Sequence, residues 1–517
     1  MSSTFTYQFD TATYKGFSTL NTGLFIDGEF VDPVEKGTID VVNPANGKFI
    51  TQISAGTHLD IEIAVQAAKK AYKEHWGLKV SGDERAKLLH KLADLVEANA
   101  DELGALEALN NGKTYHFARN IDVTACTKIL RYYAGWADKI HGKTIQTKDD
   151  KLAYTRHEPI GVVGAIIPWN FPLVMLVCKI APALATGNTI VLKPSELTPL
   201  SALRFCPLIN EAGFPPGVVN VVNGFGHTVG QAIAENMTIG QVTFTGSTAT
   251  GRKIMEAAAK SNLKPVSLEL GGKSPSIFFD DVDVDQAVKW AALGVLQVTV
   301  HDSYCAYTDR LGSYNHGQVC FAGSRIYVHE KIYDEFINKF AEHARSLKLG
   351  DPFEPTTYQG PQVSQGQYDC IMGYIESGKQ EGATLCTGGD RFGDEGYFIN
   401  PTIFTDCKPH MKIVKEEIFG PVATVMKFST EEEVIELAND TSYGLAGSVF
   451  TPNIDRALRV AHQLEAGTAW VNCLNTSEMG MPFGGFKQSG IGRELGEYAL
   501  EHYTNVKAVH VNLGMRL

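Results

Sequence analysis

Residues 160–196 read IGVVGAIIPWNFPLVMLVCKIAPALATGNTIVLKPSE. The stretch opens with a nearly unbroken apolar run, Ile160–Ile167, and closes on a second, Thr189–Leu192. Short, continuous runs rich in β-branched residues read as strands buried on both faces. The segment between them is long enough for a crossover helix. Its most apolar part, Phe171–Ala185, is too short, and too interrupted by Lys179 and two prolines, to span a bilayer. Further runs follow at Val218–Val222, Val242–Thr245 and Val266–Leu270. The pattern is that of a parallel βαβ array, hence an α/β fold. Several runs end in Gly, Pro, Thr, Ser or Asn, where open α/β sheets place their ligand crevice.

Upstream, residues 1–57 read as short strands with polar turns. Two helices follow, one over about 59–74 and one opening on the capping-box pattern Ser81-x-x-Glu84. Downstream, a second α/β texture runs from about 275 to 475. Its strand candidates include Ile277–Phe279, Arg325–Val328, Ala423–Phe428 and Thr468–Cys473. The sequence has no fixed-period repeat and no low-complexity linker, so the two halves are expected to pack into one body with a cleft between them.

The chain has 517 residues and a formal net charge of −12. At roughly 150 residues per domain, that length predicts two to four domains. The acidic balance argues against nucleic acid or an anionic membrane as main partner. Nine scattered cysteines, an odd count, argue against a disulfide framework and for a cytosol-like compartment. The N-terminal segment lacks both a secretory pattern and a mitochondrial one. The expected location is cytoplasmic.

Five segments can carry chemistry. Glu269 ends a strand before Gly271-Gly272 and can face a cleft, or it is a turn carboxylate at the surface. Cys320 lies in the Gly-flanked loop NHGQVCFAG, where backbone N–H groups can stabilise a thiolate or an oxyanion; otherwise it is a small buried hydrophobe. Asn170, in PWNFP, can donate its amide to a carbonyl oxygen or satisfy its own turn. Lys193 and Glu196, after a strand, suit a ribose, with the carboxylate repelling a 2′-phosphate. The turn Phe244-Thr-Gly246-Ser247-Thr248-x-x-Gly251 opens a helix whose N-terminus can take phosphate, or is an ordinary βα turn. The pairs His301/Cys305 and His316/Cys320 lack a zinc-knuckle pattern, so no metal is expected.

Together the segments PWNFP, KPSE, FTGST, LELGGKSP, NHGQVC, EEIFGPV (Glu416–Val422) and PFGGFKQSGIGRELGE (Pro482–Glu497) resemble the NAD(P)-dependent aldehyde dehydrogenase superfamily. They occur in the family's order over nearly the whole chain. The resemblance implies two doubly wound open-sheet domains, one Rossmann-like and one catalytic, plus a small β oligomerisation element. The corresponding boundaries are 1–137 with 159–270 for the NAD-binding domain and 271–480 for the catalytic domain. Residues 138–158 and 481–517 supply the oligomerisation element and C-terminal segment. It implies NAD-dependent oxidation of an aldehyde to the acid, class EC 1.2.1 and most specifically 1.2.1.3, by a homotetramer built as a dimer of dimers. Cys320 would be the nucleophile, Asn170 with the Cys320 N–H the oxyanion donors, and Glu269 the base that hydrolyses the thioester. The cofactor would contact Ile166, Trp169, Lys193, Glu196, Gly246, Ser247, Gly251, Glu417 and Phe419. Glu196 favours NAD, although the family includes enzymes that use NADP. Lys179 and Glu494 would support proton movement. Simple aliphatic aldehydes such as acetaldehyde are the expected substrates.

This sequence departs from the family pattern at four places. Phe321 follows the nucleophile, Cys178 replaces a frequent tunnel aromatic, and the loop Leu474–Met481 is short and polar. Glu269 and Cys320 are 51 positions apart, more than the family's usual spacing. The surplus is the polar segment Gln297–Ser313, read as intron-derived sequence in a gene model in preference to a lineage-specific loop. It also motivates an alternative reading, a cofactor-binding homologue with impaired catalysis.

Overall fold

The computed structural model describes residues 3–296 and 315–516. The insert Gln297–Ser313, with His301 and Cys305, lies outside the described residues. Five parallel strands, Val162–Ile166 (β1), Thr189–Lys193 (β2), Val219–Val221 (β3), Gln241–Thr245 (β4) and Val266–Glu269 (β5), stand in the order β3-β2-β1-β4-β5. These are the runs picked out by sequence. Every residue of β1 and β2 is buried, which is why both read as continuous apolar segments. The strand order reverses between β1 and β4, so their carboxyl ends diverge over a crevice. Pro172 begins the crossover helix Pro172–Ala185 (α1), where its missing N–H costs no helical bond. The helices His58–Glu74 and Gly82–Ala98 both start in a capping box, on Thr57 and Ser81.

Both edges of this sheet are closed by antiparallel strands. Leu24–Ile26 covers β3, and the two-residue strand Gly490–Ile491 covers β5, pairing Glu269 with Gly490.

The second sheet contains Pro275–Phe278 (β6), Arg325–His329 (β7), Thr402–Thr405 (β8), Val422–Phe428 (β9), Ala446–Phe450 (β10) and Thr468–Val471 (β11). They run parallel in the order β8-β9-β7-β6-β10-β11, with Thr384–Thr387 antiparallel on the β8 edge. The sequence reading missed β8, only four residues long, and β10, whose Gly447 and Ser448 dilute its apolar run. The strand Lys151–Pro159 pairs along its whole length with Thr504–Asn512, and Thr144–Ile145 adds to its other edge.

Only Leu270–Ser274 separates β5 of the first sheet from β6 of the second. The helix Val284–Val295 (α2) packs beside this junction. Its Leu293 forms a small apolar cluster with Val319 and Ala322, and the Gly294 carbonyl accepts from the Gly323 N–H at 3.1 Å. The loop carrying Cys320 is therefore docked on α2 by contacts among described residues.

Gly490 has φ +148°, and a Cβ there would lie 2.0 Å from the Leu268 carbonyl oxygen. Replacing it with Ala therefore strains the backbone and pushes apart the strand pair that holds Glu269. Gly490→Ala is expected to lower the stability by more than about 1 kcal/mol, measurable by urea unfolding.

Candidate active site

Glu269 ends β5 with its side chain 3% exposed. Its carbonyl accepts from the Gly246 N–H at 3.0 Å, which ties the strand end to the turn after β4. The Ser489 hydroxyl donates to the Gly271 carbonyl at 2.7 Å, and the Leu270 N–H donates to the Ser489 carbonyl. A Cβ on Gly484 would stand 2.8 Å from Glu269 Oε1, so glycine there lets the C-terminal segment close over the carboxylate. Burial raises the Glu269 carboxyl to about 8, against the opposing pull of Lys179 and then Arg493.

Lys179 projects from α1 and is fully buried. It donates to Glu494, which also accepts from the Thr245 hydroxyl at 3.4 Å. Burial lowers the Lys179 ammonium to about 8, with Glu269 opposing. Lys179, Glu494 and Thr245 are thus joined by hydrogen bonds, with Glu269 near enough to act on the lysine's charge.

Cys320 follows a tight bend in which Asn315 and His316 have positive φ, 28° and 58°. The bend brings the nucleophile loop onto the glycine pair, where a Cβ on Gly272 would lie 2.3 Å from the Cys320 carbonyl oxygen. The Cys320 loop and the Gly271–Gly272 turn are in backbone contact because position 272 has no side chain. Burial of the sulfur, then the Glu417 and Glu269 carboxylates, raise the thiol well above its ordinary range. The backbone N–H groups of Phe321 and Cys320 pull the other way and are outweighed. Stabilising N–H groups were expected on this loop, but the net balance favours the neutral thiol.

Asn170 is buried at the end of the β1 loop, and its Nδ2 donates to the Gln318 carbonyl at 2.9 Å, two residues before Cys320. An amide nitrogen carries two hydrogens, so this bond leaves one donor available. The expected nucleophile, base and amide therefore converge at the junction of the two sheets.

The cofactor candidates fall into two groups along the crevice. At the β2 end, Lys193 Nζ donates to Glu196 Oε2 at 2.9 Å. A Cβ on Gly230 would be in ordinary contact with Lys193 Cδ at 3.8 Å and Ile166 Cδ1 at 3.9 Å, so the absent side chain leaves these two uncovered on that side. After β4, Ser247 caps the helix Thr248–Lys260 and is exposed at its N-terminus, while Gly251 packs closely on Leu270. Nearer Cys320, the rings of Trp169 and Phe419 meet edge to face at 5.2 Å. Glu417 Oε1 accepts from the Gly272 N–H at 3.1 Å, and burial raises its carboxyl to about 7.

These features match known proteins closely. A model of the aldehyde dehydrogenase family matches residues 30–509. The chain belongs to the aldehyde dehydrogenase family. It is 62% identical to an aldehyde dehydrogenase of Agaricus bisporus, with 100% of each chain covered, and 54% identical to one of Aspergillus niger, with 95% of each covered. Among solved structures, the NAD+ complex of aldehyde dehydrogenase from Bacillus cereus is 49% identical, with TM-score 0.91 over 95% of this chain and 97% of that one.

Three buried polar residues of this aldehyde dehydrogenase were missed by sequence: Glu107, Asn111 and Lys113, which pack under the Asn170 segment. Glu107 and Asn111 lie on the helix Ala100–Asn111 and Lys113 just past its Gly112 cap, so in the sequence they read as ordinary polar residues at a helix end. Among the described residues, no group of three or more His, Cys, Asp or Glu is placed to hold a metal ion, and no helix is long and apolar enough to cross a membrane.

Because the Glu417 carboxylate helps hold the thiol neutral, Glu417→Gln is expected to accelerate alkylation of Cys320 by iodoacetamide at mildly alkaline pH. The gain should be up to about tenfold, the equivalent of one pKa unit. Mass-spectrometric labelling rates of the two proteins check this.

Proposed function

We propose that this chain is an NAD-dependent aldehyde dehydrogenase, EC 1.2.1.3, that oxidises simple aliphatic aldehydes such as acetaldehyde to carboxylic acids. One observation carries the reading. The Asn170 amide bonds the Gln318 carbonyl two residues before Cys320, the Cys320 carbonyl packs on Gly272, and the Glu269 carboxylate bears on the Cys320 thiol, with the Lys193–Glu196 pair at the end of the neighbouring strand β2. This convergence favours an active enzyme over the catalytically impaired alternative.

The crevice suits NAD on three grounds. Glu196 offers a carboxylate to ribose hydroxyls, and Gly230 leaves space over Ile166 and Lys193. Gly246, Ser247 and Gly251 open a helix toward the pyrophosphate position. Trp169, Glu417 and Phe419 line the end nearest Cys320. When bound, NAD supplies the hydride acceptor. Glu196 disfavours a 2′-phosphate, while Lys193 beside it keeps NADP usable.

In the proposed cycle, the Cys320 sulfur attacks the aldehyde carbon to give a thiohemiacetal. The Asn170 Nδ2 and the Cys320 N–H hold the oxyanion. Loss of hydride leaves a thioester. Glu269 takes a proton from the water that hydrolyses it, and Lys179 with Glu494 passes that proton from the buried site. Aldehyde, NAD+ and water give acid, NADH and a proton.

The same reading assigns 1–137 with 159–270 to the cofactor domain and 271–480 to the catalytic domain. The ribbon of residues 138–158 and the segment 481–517 serve oligomerisation, giving a homotetramer. Exposed Leu152, Val506 and Leu513 give that region apolar surface for a partner copy. All eight described cysteines are free, which suits a cytoplasmic location.

Two measurements test the proposal. With acetaldehyde and NAD, Cys320→Ala should form no NADH, whereas Glu269→Gln should give one NADH per site and then turn over on the order of 100-fold more slowly. NADH formation by Cys320→Ala at the unmutated rate would sink the assignment. Glu269 works as a base only when ionised, and a carboxyl held at about 8 is mostly protonated near neutrality. Turnover limited by thioester hydrolysis should therefore climb as pH rises through about 8 and then level off. A pre-steady-state pH profile checks this sign.

A further inference from the structure

The described molecule contains a buried charged cluster that the proposed cycle does not use. It lies at the end of the helix Ala100–Asn111 and in the turn that follows. Lys113, fully buried, pairs with Asp122 Oδ2 at 2.5 Å and places its ammonium 4.3 Å from the centre of the Phe171 ring. Glu107 Oε1 accepts from the Leu173 N–H at 2.7 Å. Asn111 Nδ2 donates to the Trp169 carbonyl at 2.8 Å. Ionic side chains in an apolar interior are costly, and removing one partner strands the other. Such a cluster is not needed to fill space. Beyond the Lys113–Asp122 pair, one contact from each of Glu107, Asn111 and Lys113 reaches Leu173, Trp169 or Phe171, the residues that bracket Asn170.

We propose that Glu107, Asn111 and Lys113 form a positioning platform that aims the Asn170 amide at the oxyanion site. The turn that presents them is itself immobilised. Gly112 has φ +91°, and a Cβ there would lie 2.7 Å from Pro361 of the other half of the chain. Asn110 Nδ2 donates to the Leu197 carbonyl at 3.0 Å, and its Oδ1 accepts from the Leu200 N–H at 3.1 Å. The platform is thus pinned to both sheets. Asn315 adds a clamp from the nucleophile side by donating to the Asn170 carbonyl at 2.8 Å. The backbone on both sides of Asn170 is fixed, while its side chain spans the gap to Gln318.

The inference rests on Asn170 being the oxyanion donor, and the test separates the two claims. Three quantities are read: kcat/KM for aldehyde, the Kd for NAD, and the rate of Cys320 alkylation by iodoacetamide, which needs no oxyanion donor. Glu107→Leu and Asn111→Ala are each expected to lower kcat/KM by about 10- to 100-fold, the scale of a small misplacement at a reacting centre. NAD binding and alkylation should stay within about twofold of the unmutated protein if only aim is lost. Glu107→Gln keeps an acceptor for the Leu173 N–H and should recover most of the loss. In an Asn170→Ala background, Glu107→Leu and Asn111→Ala should cost little more, because there is no amide left to aim. Unchanged kcat/KM in Asn111→Ala, or losses that add fully to that of Asn170→Ala, would overturn the proposal. So would alkylation and NAD binding falling in step with turnover. If Asn170→Ala itself costs nothing, the oxyanion assignment fails instead. Should Glu107→Leu not fold, Asn111→Ala carries the test alone, since it removes a hydrogen bond and no charge.

Discussion

The architecture of the site follows from burying one carboxylate. Glu269 sits at a strand end with almost no access to water, and burial, opposed by Lys179 and Arg493, leaves its carboxyl at about 8. A group in that state is stable only if the surrounding backbone cannot open to hydrate it. Two sequence-distant segments enforce this. The two-residue strand Gly490–Ile491 covers the sheet edge, Ser489 bonds the Gly271 carbonyl, and the turn at Gly246 bonds the Glu269 carbonyl. Glycines at 484 and 490 are required because a side chain at either would occupy space taken by Glu269 or by the strand beneath it.

The same segment couples the base to the nucleophile. The chain leaves β5, passes through Leu270–Ser274 and enters β6, so the short connection between the sheets is also the floor of the active site. Gly271 is packed by the Glu417 carboxylate and Gly272 by the Cys320 backbone. The Glu417 carboxylate and the Cys320 loop are therefore both packed against two adjacent residues just past Glu269. Docking of the Cys320 loop onto α2 through Leu293, Val319 and Ala322 keeps this reference among the described residues on both sides of 297–314.

The parts of this arrangement legible in the sequence were those with a local signature. The strands β1, β2 and β5 announce themselves as apolar runs, and Asn170, Lys193, Glu196, Ser247 and Glu269 follow strand ends marked by Gly or Pro. Residues defined by long-range packing left no such mark. Glu107 and Lys113 are buried charges, but in one dimension they resemble the solvated polar residues of any helix and turn, because their desolvation depends on Phe171 and Leu173 about sixty positions away. The pairing of Gly490 with Glu269 spans more than two hundred residues and involves only two. Strands such as β10 were hidden for a different reason: a neighbour's side chains supply the burial that Gly447 and Ser448 cannot signal themselves.

The charge pattern explains how a site can hold its nucleophile and its base neutral yet remain competent. Glu417 and Glu269 both oppose thiolate formation at Cys320, and burial opposes ionisation of all three. Ionising either carboxylate makes the Cys320 thiol harder to ionise. A negative charge already on Glu269 can be exchanged for one on sulfur if the thiol proton moves to the carboxylate, and the net charge of the enclosed site does not change. Lys179, buried beside Glu269 and paired with Glu494, favours that single charge without requiring a second. Proton transfer to Glu269 is then one route to the thiolate, while opening of the thioester is the step that requires it. The buried lysine gives a charge on Glu269 a nearby cation in a site closed to water.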